Sequence, residues 1–361
     1  MLLILLAVLA VALYGAKWTG KGIRPDYLSI QSTRAVKGIF VMLVFLRHYK
    51  TCVSLTDALD RPFIKVNNWL GQLIVALFLF YSGYGVYASY QKKGKDYVRT
   101  MPRKRVLTTL VHFDLAVLLY LLADWLLGYS YNWKQVLAAL LAWNTVGNSN
   151  WFIWAILALY LASWLALRLL PAGLWQPLAV TAFSAVYAVL FFRAYPESHW
   201  WYDTILCYAA GMWYSLYQPR IEALVSREGS WWAAEVLLLV LGGTLFRFRG
   251  NMAVYEVLAV VFSLFGVLLT MKVSFGNRVL QWLGGMVFPI YILQRLPMMV
   301  LSHFGVNERP WLFLAASLPL TLLLAAAFDW SLKRLDAALF RRKTAVGKAE
   351  NKKIPESAKN R

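Results

Sequence analysis

The 361-residue chain is 60% hydrophobic and 15% charged, with a mean hydropathy of +0.55, whereas water-soluble domains average roughly 45–50% apolar and about 25% charged residues. A fold surrounded by water cannot hide that much apolar surface, which excludes a soluble globular protein and predicts a membrane bundle. The formal charge of +20 does not point to nucleic acid, because the excess lies in short loops beside apolar runs and in the C-terminal tail, where membrane topology explains it.

Apolar runs close to the ~20 residues needed to cross a bilayer recur near 2–16, 36–54, 69–90, 106–128, 151–170, 174–193, 203–217, 231–247, 253–272, 279–303 and 311–330. They predict an all-α polytopic membrane protein with about ten core transmembrane helices and one short N-terminal anchor helix. The first run has neither a basic flank before it nor a small-residue cleavage site before Lys17, so it reads as an anchor and not a signal peptide. Segment 134–146 is too short to span and is expected to re-enter or lie at the interface. With the N-terminus outside, the loops that become cytoplasmic carry 26 of the 37 Lys and Arg and the opposite loops nine. That bias predicts an external N-terminus and a cytoplasmic C-terminus. The organisation expected is an anchor and basic cytoplasmic loop over 1–33, a membrane domain over 34–330 and a disordered basic cytoplasmic tail over 331–361. Cys52 and Cys207 lack metal-site or redox spacing, and no metal site is expected.

Ionisable residues inside spans are costly and default to functional candidates. Glu235, Asp329, Asp124 and Glu256 fall toward the ends of their runs, where water and headgroups are in reach. The run KGIFVMLVFLRH differs: Lys37 and His48 are eleven positions apart, which on a helix is about 20° beyond three turns and a rise of about 16 Å. Both side chains then lie on one face, and Arg34 falls within about 40° of it. Positive-inside anchoring of Arg34 and Lys37 and an interfacial His48 account for the same residues without chemistry. Further along, Ser82, Gly83 and Gly85 sit among aromatics, where small residues permit close helix packing. Trp151 and Trp154 follow the polar triplet Asn148–Asn150 as helix cap and interface anchors. In LGGMVFPIYILQRLPMMV, Pro289, Pro297 and the pair Gln294–Arg295 predict a broken helix lining a wet cavity.

These segments, in this order, resemble the acyltransferase-3 family of integral membrane acyltransferases, which includes bacterial polysaccharide O-acetylases. The resemblance rests on a basic residue, ten intervening residues and a histidine (Lys37 to His48), FLFYSGYG around Ser82, WFIWAILALY from Trp151, and LGGMVFPIYILQ from Leu283. It covers about residues 34–330. Lys37 stands where Arg is commoner, and Gln294 where many members have His, so a second catalytic imidazole there is not expected. The resemblance implies a membrane O-acyltransferase of the bacterial inner membrane, with acetyl-CoA or another short acyl-CoA as cytoplasmic co-substrate and no tightly bound cofactor. The implied acceptor is a hydroxyl of a cell-surface glycan or lipid-linked sugar, in a membrane-lipid setting. It further implies His48 as the catalytic group and Lys37 and Arg34 as donor-binding residues. Ser82, Trp151, Tyr291, Gln294 and Arg295 are the implied cavity-lining residues. His48 serves either as general base or as an acylated nucleophile, and the bundle alone fits a transporter or flippase as well.

Overall fold

The computed structural model describes residues 1–340. In chain order its helices are α1 (Leu2–Leu13), α2 (Ile30–Cys52), α3 (Arg61–Leu70), α4 (Leu73–Lys93), α5 (Lys95–Met101), α6 (Thr108–Leu126), α7 (Trp133–Leu140) and α8 (Trp151–Leu169). They continue as α9 (Trp175–Ala194), α10 (Leu206–Val225), α11 (Glu228–Phe246), α12 (Met252–Lys272), α13 (Arg278–Gly285), α14 (Val287–Leu293), α15 (Arg295–His303) and α16 (Pro310–Phe340). The one sheet among the described residues joins β1 (Ala16–Trp18) antiparallel to β2 (Val273–Phe275). Polar residues start the helices where the sequence leaves apolar runs. Ser29 caps α2 by accepting from the Ser32 amide, and Asn251 and Asn277 do the same for α12 and α13, satisfying N–H groups that have no intrahelical partner.

Among the described residues seven helices are long and apolar enough to cross a membrane, or eight when the bent pair α13 and α14–α15 counts as one. The chain is thus an all-α multi-pass membrane protein. Two further helices, α2 of 23 residues and α10 of 20, are long enough but more polar than the seven. The anchor α1, at 12 residues, extends about 18 Å, well short of a ~30 Å hydrocarbon core. Helix α7 has eight residues and is likewise too short to cross. Large apolar side chains of α9 and α11, such as Phe192, Val236, Leu237 and Val240, are exposed and form the lipid-facing surface expected of such a bundle.

Interior contacts sort the loops into two ends. At one end, the β1–β2 pairing holds residues 16–18 to 273–275, Arg24 donates to the Val273 carbonyl, and Tyr27 meets Tyr214 and Glu222. His112 and Asp336 also meet there, and Tyr87 donates to Gly173. At the other end, Tyr49 donates to the Pro310 carbonyl, Asn307 to Cys52 and Arg47 to Asn67. The first end gathers the loops that carry the excess of basic residues.

Several details differ from the expectations. Helix α16 continues ten residues past Trp330 to Phe340, because SLKRLDAALF consists of helix formers tied by Asp329 to Lys333 and by Asp336 to His112. The helix therefore extends beyond 330, and the remainder of the predicted tail, from Arg341, lies outside the described residues. The break in the 279–303 run is a 65° bend between α13 and α14, at Met286, and not at the prolines. Pro289 occupies the third position of α14, where an amide hydrogen has no intrahelical acceptor to lose, and Pro297 lies three residues after the Gln294 turn that separates α14 from α15. Glu256 is 2% exposed and does not reach the surface. Its carboxylate accepts the Ile205 and Leu206 amides at 3.2 and 3.0 Å and so caps α10.

The bundle is held most closely where glycines let backbones touch. A Cβ on Gly83 would meet the Tyr208 carbonyl, and one on Gly211 the Phe80 carbonyl, so α4 and α10 are in backbone contact. Gly38 against Leu280 and Gly284 against Arg34 do the same for α2 and α13. Gly85 faces open space, so the packing role expected of both glycines near Ser82 belongs to Gly83 alone. Gly83→Val should therefore destabilise the protein by at least about 2 kcal/mol through overpacking, while Gly85→Ala should be neutral or slightly stabilising. Thermal unfolding in detergent checks the pair. Equal melting temperatures for Gly83→Val and wild type would contradict the close approach.

Candidate active site

Helix α2 carries the site. Lys37, toward its N-terminal end, is partly buried, and its ammonium lies over the Tyr81 ring at 5.5 Å from the centroid, a contact that stabilises a cation held away from water. Lys37 lines a cavity of about 500 Å³ with Ser82 of α4, Tyr291 of α14 and Phe152 of α8. At the basic end of the bundle the same cavity is lined by His112 and Lys333. Arg34 and Arg105 lie within coulombic reach of Lys37. The carboxylates nearby are already engaged, Asp329 by Lys333 and Asp336 by His112. The two lysines and two carboxylates of the lining balance one another, and Arg34 and Arg105 nearby add the positive charge that favours an anionic ligand at this end.

Three turns along the same helix, the Nε2 atom of His48 is 3.3 Å from the Oγ of Ser149. Ser149 lies in the segment between α7 and α8, which folds back into the bundle. Asn148 there accepts the Val146 amide and the Thr145 hydroxyl, and Asn150 donates to the Ala142 carbonyl at 2.9 Å. Asn148, Ser149 and Asn150 are all buried. Ser149 also stands beside the buried Tyr291 hydroxyl, which makes no hydrogen bond among the described residues. Tyr291 therefore links the Lys37 cavity to Ser149, and Ser149 links it to His48. The Arg295 and Arg47 guanidiniums lie within coulombic reach of the His48 ring.

Of the residues expected to line a cavity, Ser82 and Tyr291 share one with Lys37. Arg295 lines a different one, of about 380 Å³, with Cys52 and His303. Gln294 is fully buried and donates to the Tyr291 carbonyl at 3.1 Å, and lines none of these cavities. Trp151 stands edge-on to Phe152, likewise outside them. Arg34 is exposed, with its carbonyl against Gly284. Cys52 and Cys207 are free thiols. Sequence reasoning missed Ser149, reading Asn148–Asn150 as a helix cap; Asn150 makes no side-chain cap bond to α8. It also missed Arg47, whose guanidinium lines a cavity at the opposite end of the bundle from Lys37.

One end of α2 thus borders a cavity through Lys37, the other borders a second cavity through Arg47, and His48 meets the Ser149 hydroxyl between them. The profile of the acyltransferase domain, that of the acyltransferase-3 family, matches residues 30–330. The chain belongs to that family and is an integral membrane acyltransferase acting between an acyl donor and an acceptor. No curated protein and no solved structure matches it.

Ser149→Ala removes the one hydrogen bond made by His48 Nε2. A net loss of about 0.5–1.5 kcal/mol should lower kcat/KM roughly 2- to 10-fold. Steady-state acyl transfer at matched protein level checks this, and an unchanged rate would show that Ser149 does not orient His48.

Proposed function

We propose that the protein is a membrane O-acyltransferase that moves a short acyl group, acetyl in the simplest case, from cytoplasmic acyl-CoA to a hydroxyl of a cell-surface glycan or lipid-linked sugar. The observation that carries this reading is the continuity from Lys37 through Tyr291 and Ser149 to His48 within a family of acyltransferases. In this reading the N-terminus faces outward and the C-terminus the cytoplasm of a bacterial cell, because the basic loops gather at the Lys37 end. The donor enters at that end. Its phosphates meet Arg34, Lys37 and Arg105, and the pantetheine arm runs up the cavity past Ser82 and Phe152, bringing the thioester to His48.

For direct transfer, the acceptor hydroxyl takes the place of the Ser149 hydroxyl at Nε2 of His48, whose lone pair takes its proton as the oxygen attacks the thioester carbonyl carbon. The carbon–sulfur bond then breaks and the CoA thiolate leaves, taking up a proton. The tetrahedral oxyanion is stabilised by donors aimed at it, a role suited to the Tyr291 hydroxyl and to the Arg295 guanidinium. In the alternative order Nε2 itself attacks the carbonyl, CoA leaves, and the acyl-imidazole is then taken by the acceptor hydroxyl. Neither route calls for a carboxylate on His48. Glu256 instead caps α10, and the hydrogen-bond partner of His48 Nε2 among the described residues is Ser149.

The test is acyl transfer from labelled acyl-CoA in sealed, oriented vesicles, comparing wild type with His48→Ala at matched insertion. His48→Ala should lower turnover by about 10²–10⁴-fold, and only donor presented on the cytoplasmic face should be used. Near-normal turnover in the variant, or equal use of donor on the outer face, would overturn the assignment.

A further inference from the structure

The cavity on the far side of His48 from Lys37 has no part in the donor path. It measures about 520 Å³ and is lined by Arg47, Asn68, Trp69, His199, Asp203 and Arg249, among others. Its elements come together from α2, α3, the 195–205 connection and the turn before α12. Arg47 adjoins His48 in the chain, and on a helix adjacent residues point about 100° apart. Arg47 thus turns to this cavity while His48 turns to Ser149, and the Arg47 charge acts on both His48 and His199.

The charges of this cavity do not cancel. Its carboxylate, Asp203, is buried and already accepts from Nδ1 of His199 at 2.7 Å. That bond holds the His199 ring protonated to higher pH than an ordinary imidazole, so the pair adds no net negative charge where His199 is charged. The Nη1 atom of Arg47 donates to the Asn67 carbonyl at 3.2 Å and that of Arg249 to the Phe246 carbonyl at 3.1 Å. Neither guanidinium pairs with a carboxylate among the described residues. Each is left with N–H groups in the planar fork that suits carboxylate or phosphate. Trp69, exposed at the rim, offers an apolar face to a sugar ring.

We infer that this cavity is the acceptor site and that it takes a sugar bearing a carboxylate or a phosphate, gripped by Arg47 and Arg249 so that a neighbouring hydroxyl is presented to His48. The inference rests on the acyltransferase reading of His48 and adds the chemical class of the acceptor. Positive charge is otherwise sparse at this end of the bundle, where the loops hold nine of the 37 Lys and Arg, and two of those nine line this one cavity.

The experiment uses the full chain in zwitterionic vesicles, with two matched pairs of probes. One pair is a hexuronate-containing oligosaccharide and the same molecule with its carboxyl reduced to the alcohol. The other is a sugar phosphate and its dephosphorylated form. Equilibrium binding to the outer face and acyl transfer from labelled acyl-CoA are both read. The charged member of at least one pair should bind about 10- to 100-fold more tightly than its neutral partner, the range expected for charge-assisted hydrogen bonds. Arg249→Gln should cut that preference roughly tenfold, Arg249→Lys should restore part of it, and Lys65→Gln, on the exposed face of α3 outside the cavity, should leave it in place. Which pair responds tells carboxylate from phosphate. Equal or undetectable binding of charged and neutral members in both pairs would overturn the inference, as would an equal effect of Lys65→Gln. Absence of CoA release by wild type with any acceptor or with water would instead bring down the acyltransferase reading on which it rests.

Discussion

Helix α2 carries Arg34, Lys37, Arg47, His48 and Lys50 along 23 residues, and the rest of the bundle is arranged around keeping these polar side chains out of lipid. A basic side chain at the bilayer centre costs roughly 2.5–3.5 kcal/mol on insertion scales, so the helix has to be enclosed by others. It is: α13 meets its backbone at Gly38 and Gly284, α4 supplies Tyr81 under Lys37, and the 142–150 segment turns inward to give His48 a hydroxyl partner. The close approach at the glycines also fixes the bend after Gly285, which turns Tyr291 toward Phe152 and Ser149. Packing and chemistry thus share residues, and the same contacts that hide charge from lipid assemble the site.

One consequence is a division of labour along the helix. Its N-terminal half presents cations to a cavity at the basic end of the bundle, and its C-terminal half presents Arg47 to a cavity at the other. His48 lies between them. In the proposed reading the two substrates sit on opposite sides of the membrane, each recognised in its own aqueous compartment, and only the reacting atoms meet in the interior. The low-dielectric surroundings strengthen the field of Arg295 and Arg47 at His48. The imidazole is the one group there that can both accept a proton and release it readily.

The positions of the spans and the shared face of Lys37 and His48 were legible in the sequence, because both follow from local periodicity and from the 1.5 Å rise per residue. The partition of the loops into two ends also followed from charge alone. What was not legible depends on contacts between distant segments. Ser149 meets His48 across 101 positions, and nothing in the triplet Asn148–Asn150 distinguishes a fold-back into the bundle from a cap. The kink was sought at prolines because proline breaks helices, but Pro289 lies at a helix start and the 65° bend falls at Met286. Glu256 read as a carboxylate near water, since sequence does not reveal that the first amides of α10 lie beside it. The extension of α16 past Trp330 was masked by its basic composition, although Asp329 and Lys333 at i,i+4 were there to be seen.

The central claim is that an acyl donor reaches His48 through the Lys37 cavity. Its most direct test is an experimentally determined structure of the protein with a non-hydrolysable acyl-CoA analogue. The account predicts the phosphates against Arg34, Lys37 and Arg105, the pantetheine arm beside Ser82 and Phe152, and the carbonyl carbon within contact distance of His48 Nε2. A donor bound with its carbonyl away from His48, or entering from the Arg47 end, would contradict it.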